Sequence, residues 1–330
     1  MNIQGSKYGS KKICREGRKC WVYYYDDGTI GALLIPKIEN EPVDSNPPLP
    51  AKRRLKLCTF KVSYIGHKIG ELFIKLSVNY CLQNNIDEMY LTHYTKEIDY
   101  LVDLISEYGF SKVATKNSED VYLKKLIPDK DDLVNDPVVK ERDGNPLKFS
   151  KKYYPSFYDG PVVRKFIVPI LPKYHDRLFI DYPMRQTMIL EHSGRFIVEG
   201  NTIKKAYLCH SRISRLYPGD ILLFYRSRDK ILTSLGIVEK ARVSRDKNQI
   251  LKMVGKRTVY TLREIEEMIK KPTLVILFQF HFYFKEPLSL SRLMELKVLR
   301  TAPQTITKIP HDKYSTIKKE GALDERYTFD

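Results

Sequence analysis

No apolar run in this sequence reaches the roughly 18–20 residues that a helix needs to cross a bilayer. The opening residues, Met1 to Lys7, lack the apolar core of a secretory signal. Membrane-spanning and secreted classes drop out, and a cytoplasmic protein is expected. Cysteine is sparse and unpatterned. Cys14, Cys20, Cys58, Cys81 and Cys209 are odd in number and scattered, which excludes a disulfide framework and predicts no metal site. Cys58 and Cys81 lie inside apolar patterns and are expected in the core.

What is present is a basic chain with ordinary core material. Its 330 residues are 42% hydrophobic, enough for two domains with a core each. A net charge of +17 favours polyanionic partners, nucleic acid first and phosphorylated cofactors second. A lysine-rich background composition gives the same figure without a partner.

The stretch from Leu55 to Phe110 organises the first half. Leu55 to Ser63 reads as a strand, Tyr64 to Gly70 as a glycine-containing loop, and the run from Glu71 through Leu72, Phe73, Leu76 and Tyr80 as a helix. Glu88 to Thr92 is a second strand, and Ile98, Leu101, Leu104 and Ile105 mark a second helix ending near Gly109. Free backbone N–H groups where a loop enters a helix make an anion site. Upstream, Trp21–Tyr25 and Thr29–Ile35 flank Asp26-Asp27-Gly28, a hairpin signal, and a proline-rich loop covers 41–50. Downstream, 111–114 and 121–126 flank Asn117 to Asp120 as a closing hairpin.

This order resembles the acetyl-CoA-binding half of the GNAT acetyltransferases over roughly residues 20–126. Lys68-Ile69-Gly70-Glu71-Leu72 opens the first helix, and Glu107-Tyr108-Gly109-Phe110 closes the second. The resemblance implies acetyl-CoA between the family's fourth and fifth strands. Backbone groups at Phe60, Lys61 and Val62 would bond pantetheine, and Lys68, Ile69, Gly70 and Glu71 would hold pyrophosphate. The family pattern Gln/Arg-x-x-Gly-x-Gly/Ala is only partly kept: Ile65 and Lys68 stand at its first position and first glycine. Ile105 stands where the family places a tyrosine acid, with Tyr108 three residues on. His93 and Tyr94 follow the fifth strand, where an acid or base is needed, although His93 can equally be a polar loop residue. The twenty residues before Trp21 are too few for the family's first strand and two helices, so an upstream or partner polypeptide could complete the acceptor site.

Residues 129–160 are charged, with aromatics from Phe149 to Tyr158, and read as a linker between domains at 1–128 and 161–330. Their interleaved bases and aromatics can bind nucleic acid or pack against the next domain. The second domain reads mostly as strands: 165–170, 220–225 after the turn Tyr217-Pro218-Gly219, 232–238, and the apolar run 273–284. A capping box starts a helix at Thr261, with Glu264 three residues on. Tyr217 to Tyr225, Ser234 to Val238 and the late segment 300–309 resemble the PUA-like superfamily near its ASCH and EVE groups. That resemblance implies a small β-barrel and recognition of RNA or modified nucleic acid. The hairpin cations Arg226, Arg228 and Lys230, with Gln304 and Lys308, are the candidate nucleic-acid face. The fold class expected is α+β, a GNAT-type mixed sheet followed by a PUA-like barrel. Two functions compete. One is an acetyl-CoA-dependent N-acetyltransferase recruited to RNA; the other is a non-catalytic nucleic-acid-binding or regulatory protein with a degenerate GNAT domain.

Overall fold

In a computed structural model, residues 20–25, 27–63, 68–182, 199–213 and 215–330 are described, the side chain of Lys256 excepted. The loop residues Tyr64 to His67, Cys14 and the segment before Cys20 lie outside them. The chain divides into two units after Leu126.

In the first unit, β1 (Trp21–Tyr24) and β2 (Ile30–Glu39) form the expected hairpin, and β2 pairs antiparallel with β3 (Arg54–Val62). Helix α1 (Ile69–Gln83) follows, then β4 (Glu88–His93), α2 (Tyr100–Ser106) and the hairpin of β5 (Ser111–Lys116) and β6 (Glu119–Lys125). The sheet order is β1-β2-β3-β4-β6-β5. α1 packs on β2 and β3. Every residue from Ile69 to Lys75 is buried, so its first two turns are covered on all sides rather than along one stripe. Burying Phe73 and Leu72 stabilises by about 1.5–3 kcal/mol each. The proline-rich loop pairs with the edge of β5, Asn46 exchanging both backbone bonds with Thr115. It sends Val43 into a cluster with Tyr90, Ala114, Val121 and Leu123. Cys81 is buried, but Cys58, expected in the core, is exposed. Cys58 is the extra residue where the β2–β3 register shifts, and the bulge turns it outward.

In the second unit, α3 (Lys130–Asn135), α4 (Pro137–Lys140), α5 (Pro146–Tyr153) and β7 (Phe157–Tyr158) occupy the stretch expected as a linker. The expectation fails because its aromatics are core: Phe149, Tyr153 and Phe157 cluster with Leu223, Tyr225 and Leu235. The chain continues through β8 (Lys165–Ile170), α6 (Pro172–Leu178), β9 (Lys204–Cys209), β10 (Ile221–Arg226), β11 (Ile231–Ser244) and α7 (Lys247–Val254). Then come α8 (Leu262–Met268), β12 (Thr273–Ser289), α9 (Leu290–Glu295), β13 (Thr307–Ile309), α10 (His311–Glu320) and β14 (Thr328–Phe329). The capping box of Thr261 and Glu264 forms as expected.

Six of these strands form one mixed sheet, in the order β13-β8-β10-β11-β12-β9. It is buried on both faces. Phe166, Val168, Leu222 and Phe224 meet α6, α7 and α8, whereas Ile167, Ile221, Leu223 and Tyr225 meet α4, α5, α9 and α10. Burial on both faces explains why β10 reads as an unbroken apolar run. Among the described residues no pairing joins β9 to β13, and Ser211 Oγ, just after β9, lies 3.1 Å from Thr305 Oγ1, just before β13. The turn at Tyr217 holds as read. Gly219 has φ +91°, and Asp220 receives the guanidinium of Arg164, which also stacks on the Tyr217 ring at 4.2 Å.

Candidate functional sites

In the first unit the geometry is set by where two strands part. β3 and β4 run parallel but pair only at Leu55↔Met89 and Lys56↔Tyr90. Beyond that point β3 continues to Val62 and β4 to His93 without pairing to each other. The β4-facing edge of Phe60, Lys61 and Val62 thus faces a wedge, and β2 holds the other edge of β3. An unpaired strand edge offers alternating N–H and C=O groups to an extended ligand.

After β3 the chain turns into α1. Lys68 is its N-cap, at φ +57° and without a side-chain cap bond. Lysine therefore sits in the left-handed conformation that glycine adopts freely. Ile69 and Glu71 are buried as side chains, which leaves their backbone N–H groups and the Lys68 ammonium as the anion-facing chemistry. Glu71 itself adds a negative charge in the first turn and complements the helix dipole there. Gly70 has a second reason to be glycine: a Cβ would lie 2.5 Å from Leu104 Cδ2.

The three candidate acid–base residues separate. His93 Nε2 lies 2.7 Å from Asp99 Oδ2. Asp99 is the N-cap of α2 and also accepts from Lys96, Leu101 and Val102 N–H groups. Burial pushes the Asp99 carboxyl up, but the bonds from His93 and these amides outweigh it and hold it below its ordinary value. Asp99 is thus an anion, and His93 donates to it from Nε2. Tyr94 is exposed. Tyr108 is 2% exposed and belongs to the core, a correction to its expected catalytic position, because the α2 turn that ends at Gly109 tucks it inward.

The second unit contains a cavity of about 450 Å³ at one end of the sheet. It brings together two of the five expected nucleic-acid residues, Arg228 and Gln304, with Tyr174, Tyr207, Tyr225 and His210. The Tyr225 hydroxyl is buried and has no hydrogen-bond partner among the described residues. Sequence reading missed these tyrosines. Their signal is weak, since single tyrosines from separate elements converge only in three dimensions. Arg226 is a correction. It is turned to Asp176 (3.1 Å) and Asp229 (2.5 Å), so the hairpin tip neutralises its own first cation. Lys230 and Lys308 are exposed outside the cavity, Lys308 on β13 opposite Phe166.

Among the described residues no group of His, Cys, Asp and Glu is arranged to hold a metal ion, and no helix is long and apolar enough to cross a membrane.

No family model matches the chain, and no curated protein matches it. Solved structures do, each over part of its length. ASCH from Zymomonas mobilis matches at 13% identity and TM-score 0.36, covering 47% of this chain and 94% of that one. A GNAT-family acetyltransferase from Listeria monocytogenes 4b F2365 matches at 17% identity and TM-score 0.26, covering 32% of this chain and 63% of that one. The PaiA N-acetyltransferase from Thermoplasma acidophilum, in complex with coenzyme A, matches at 14% identity and TM-score 0.28, covering 37% and 71%. The chain is therefore structurally similar to an ASCH domain and to GNAT acetyltransferases.

Proposed function

We propose that this protein is an acetyl-CoA-dependent N-acetyltransferase whose second unit recruits RNA. The observation that carries the enzymatic reading is the parting of β3 from β4 after two paired residues, beside the N-terminus of α1. The wedge fits a ligand that is an extended amide chain at one end and a pyrophosphate at the other. Phe60 to Val62 would bond the amides, and Lys68 with the first N–H groups of α1 would hold the pyrophosphate. Acetyl-CoA would supply the acyl thioester. His93, oriented by Asp99, would take the proton from the attacking amine at Nδ1. In the second unit, Arg228 and Gln304 suit the edge and face of a nucleobase.

Calorimetric titration of the protein with acetyl-CoA tests this. Lys68→Glu places an anion at the pyrophosphate and should weaken binding roughly tenfold or more, a loss comparable to one charge-assisted bond. Equal affinity in folded wild type and variant would remove the assignment. A second reading, an acyl-CoA-binding protein without turnover, is favoured by buried Tyr108 and by Asp99 serving as a helix cap. In that case acetyl-CoA binds, but an amine acceptor releases no free thiol.

A further inference from the structure

We infer that the groove between β11 and α7 is a second RNA site, which holds the sugar–phosphate backbone of an extended single strand. It rests on the reading that this unit binds RNA, and it is distinct from the cavity that contains Arg228. The groove encloses about 540 Å³. Lys240, Arg242 and Ser244 line it from β11, and Gln249 and Lys252 from α7. Its floor is apolar and comes from Ile250, Val275 and Leu277.

Charge is the argument for the occupant. Lys240, Arg242 and Lys252 are exposed, and among the described residues none makes an ion pair or hydrogen bond. The neighbouring carboxylates are committed elsewhere. Glu239 accepts from Gln279 (3.1 Å) and Arg257 (3.4 Å), and Asp246 caps α7 through Gln249 N–H. Three cations thus face the groove with no counter-charge lining it. Lys240 and Arg242 are two residues apart on one strand, so they share a face with about 6.7 Å between them. That is the reach between successive phosphates of an extended strand. None of the described residues that line the groove is aromatic, so stacking selectivity is absent and recognition is of backbone rather than of base.

The test is fluorescence anisotropy of the full chain with labelled oligouridylate, from low to high salt. The arms are wild type, Lys240→Gln/Arg242→Gln/Lys252→Gln, and Arg228→Ala/Gln304→Ala. Each phosphate neutralised on a single strand contributes a log–log slope of roughly −0.7, so the triple variant should flatten the slope by about 2 and lose roughly tenfold or more in affinity at low salt. The cavity variant, with one cation removed, should flatten it by less than about 1. Wild-type affinity and slope in the triple variant would make the groove solvated surface and overturn the proposal. A silent cavity variant beside a weakened triple variant leaves the groove standing and removes the cavity reading. No binding by wild type at low salt removes both. Competition by polyglutamate as strong as by oligouridylate would overturn the nucleic-acid assignment. Thermal unfolding checks each variant, and Arg242→Glu repeats the measurement with one surface substitution if the triple change shifts the midpoint.

Discussion

At Gly236, a Cβ would stand 2.6 Å from Phe278 Cδ2 and 2.9 Å from the Gln279 carbonyl oxygen. The ring can turn, but the carbonyl belongs to the β12 backbone and cannot. Gly236→Ala should therefore destabilise the second unit by about 1–3 kcal/mol, the usual cost of overpacking. This exceeds the gain of roughly 0.5–1 kcal/mol expected from lower unfolded-state entropy. A lower urea midpoint at unchanged m-value is the expected reading, and an unchanged midpoint would show that the strands can separate locally. Gly70 differs. Its neighbour is the mobile end of Leu104, so a small side chain there can be accommodated by a rotamer change. Lys68 is the better probe of the proposed anion site for that reason.

At the scale of the element, β6 carries a lysine inside the core. Lys124 is fully buried, and desolvation lowers its pKa from the usual 10.5 to about 7. The unfolded chain therefore binds a proton that the folded chain has released between about pH 7 and 10.5. Folding stability of the first unit should rise with pH across that window and become flat with respect to this group below it. Lys124→Met should be more stable at pH 7 and lose the slope. Denaturant titrations at pH 7 and pH 9.5 decide this, and an identical pH dependence in wild type and variant would remove Lys124 as its source. The α2 element gives a slope of the same sign in the acid range. Asp99 has a lowered pKa, so its cap contributes above the ordinary carboxylate range and is lost as acid protonates it.

For the molecule as a whole, the division after Leu126 makes residues 127–330 the unit to isolate. A fragment from 161 omits Phe149, Tyr153 and Phe157, all buried in one core. Losing a buried aromatic costs about 3–5 kcal/mol each, which together matches or exceeds the roughly 5–15 kcal/mol that holds a domain folded. Residues 127–330 should unfold cooperatively, whereas 161–330 should show no cooperative transition by circular dichroism. A cooperative transition in the shorter fragment would show that helices α3–α5 are dispensable.

The sequence by itself determined the hairpin around Asp27-Gly28, the strand–loop–helix passage into α1, the capping box at Thr261 and the apolar runs of β10 and β12. These are local: turn chemistry, capping and periodicity act within a few residues. Helix α10 escaped because only Tyr314 and Ile317 of its ten residues are buried, too few to write a stripe. Tertiary structure alone decided that the charged stretch after Leu126 is core, since its aromatics gain meaning only against β10 and β11. It also decided which cations remain free. Arg226 and Arg228 look alike in sequence, yet Asp176, fifty residues earlier, holds the first and leaves the second in the cavity. The parting of β3 from β4 is likewise a matter of register between distant segments, which no local pattern encodes.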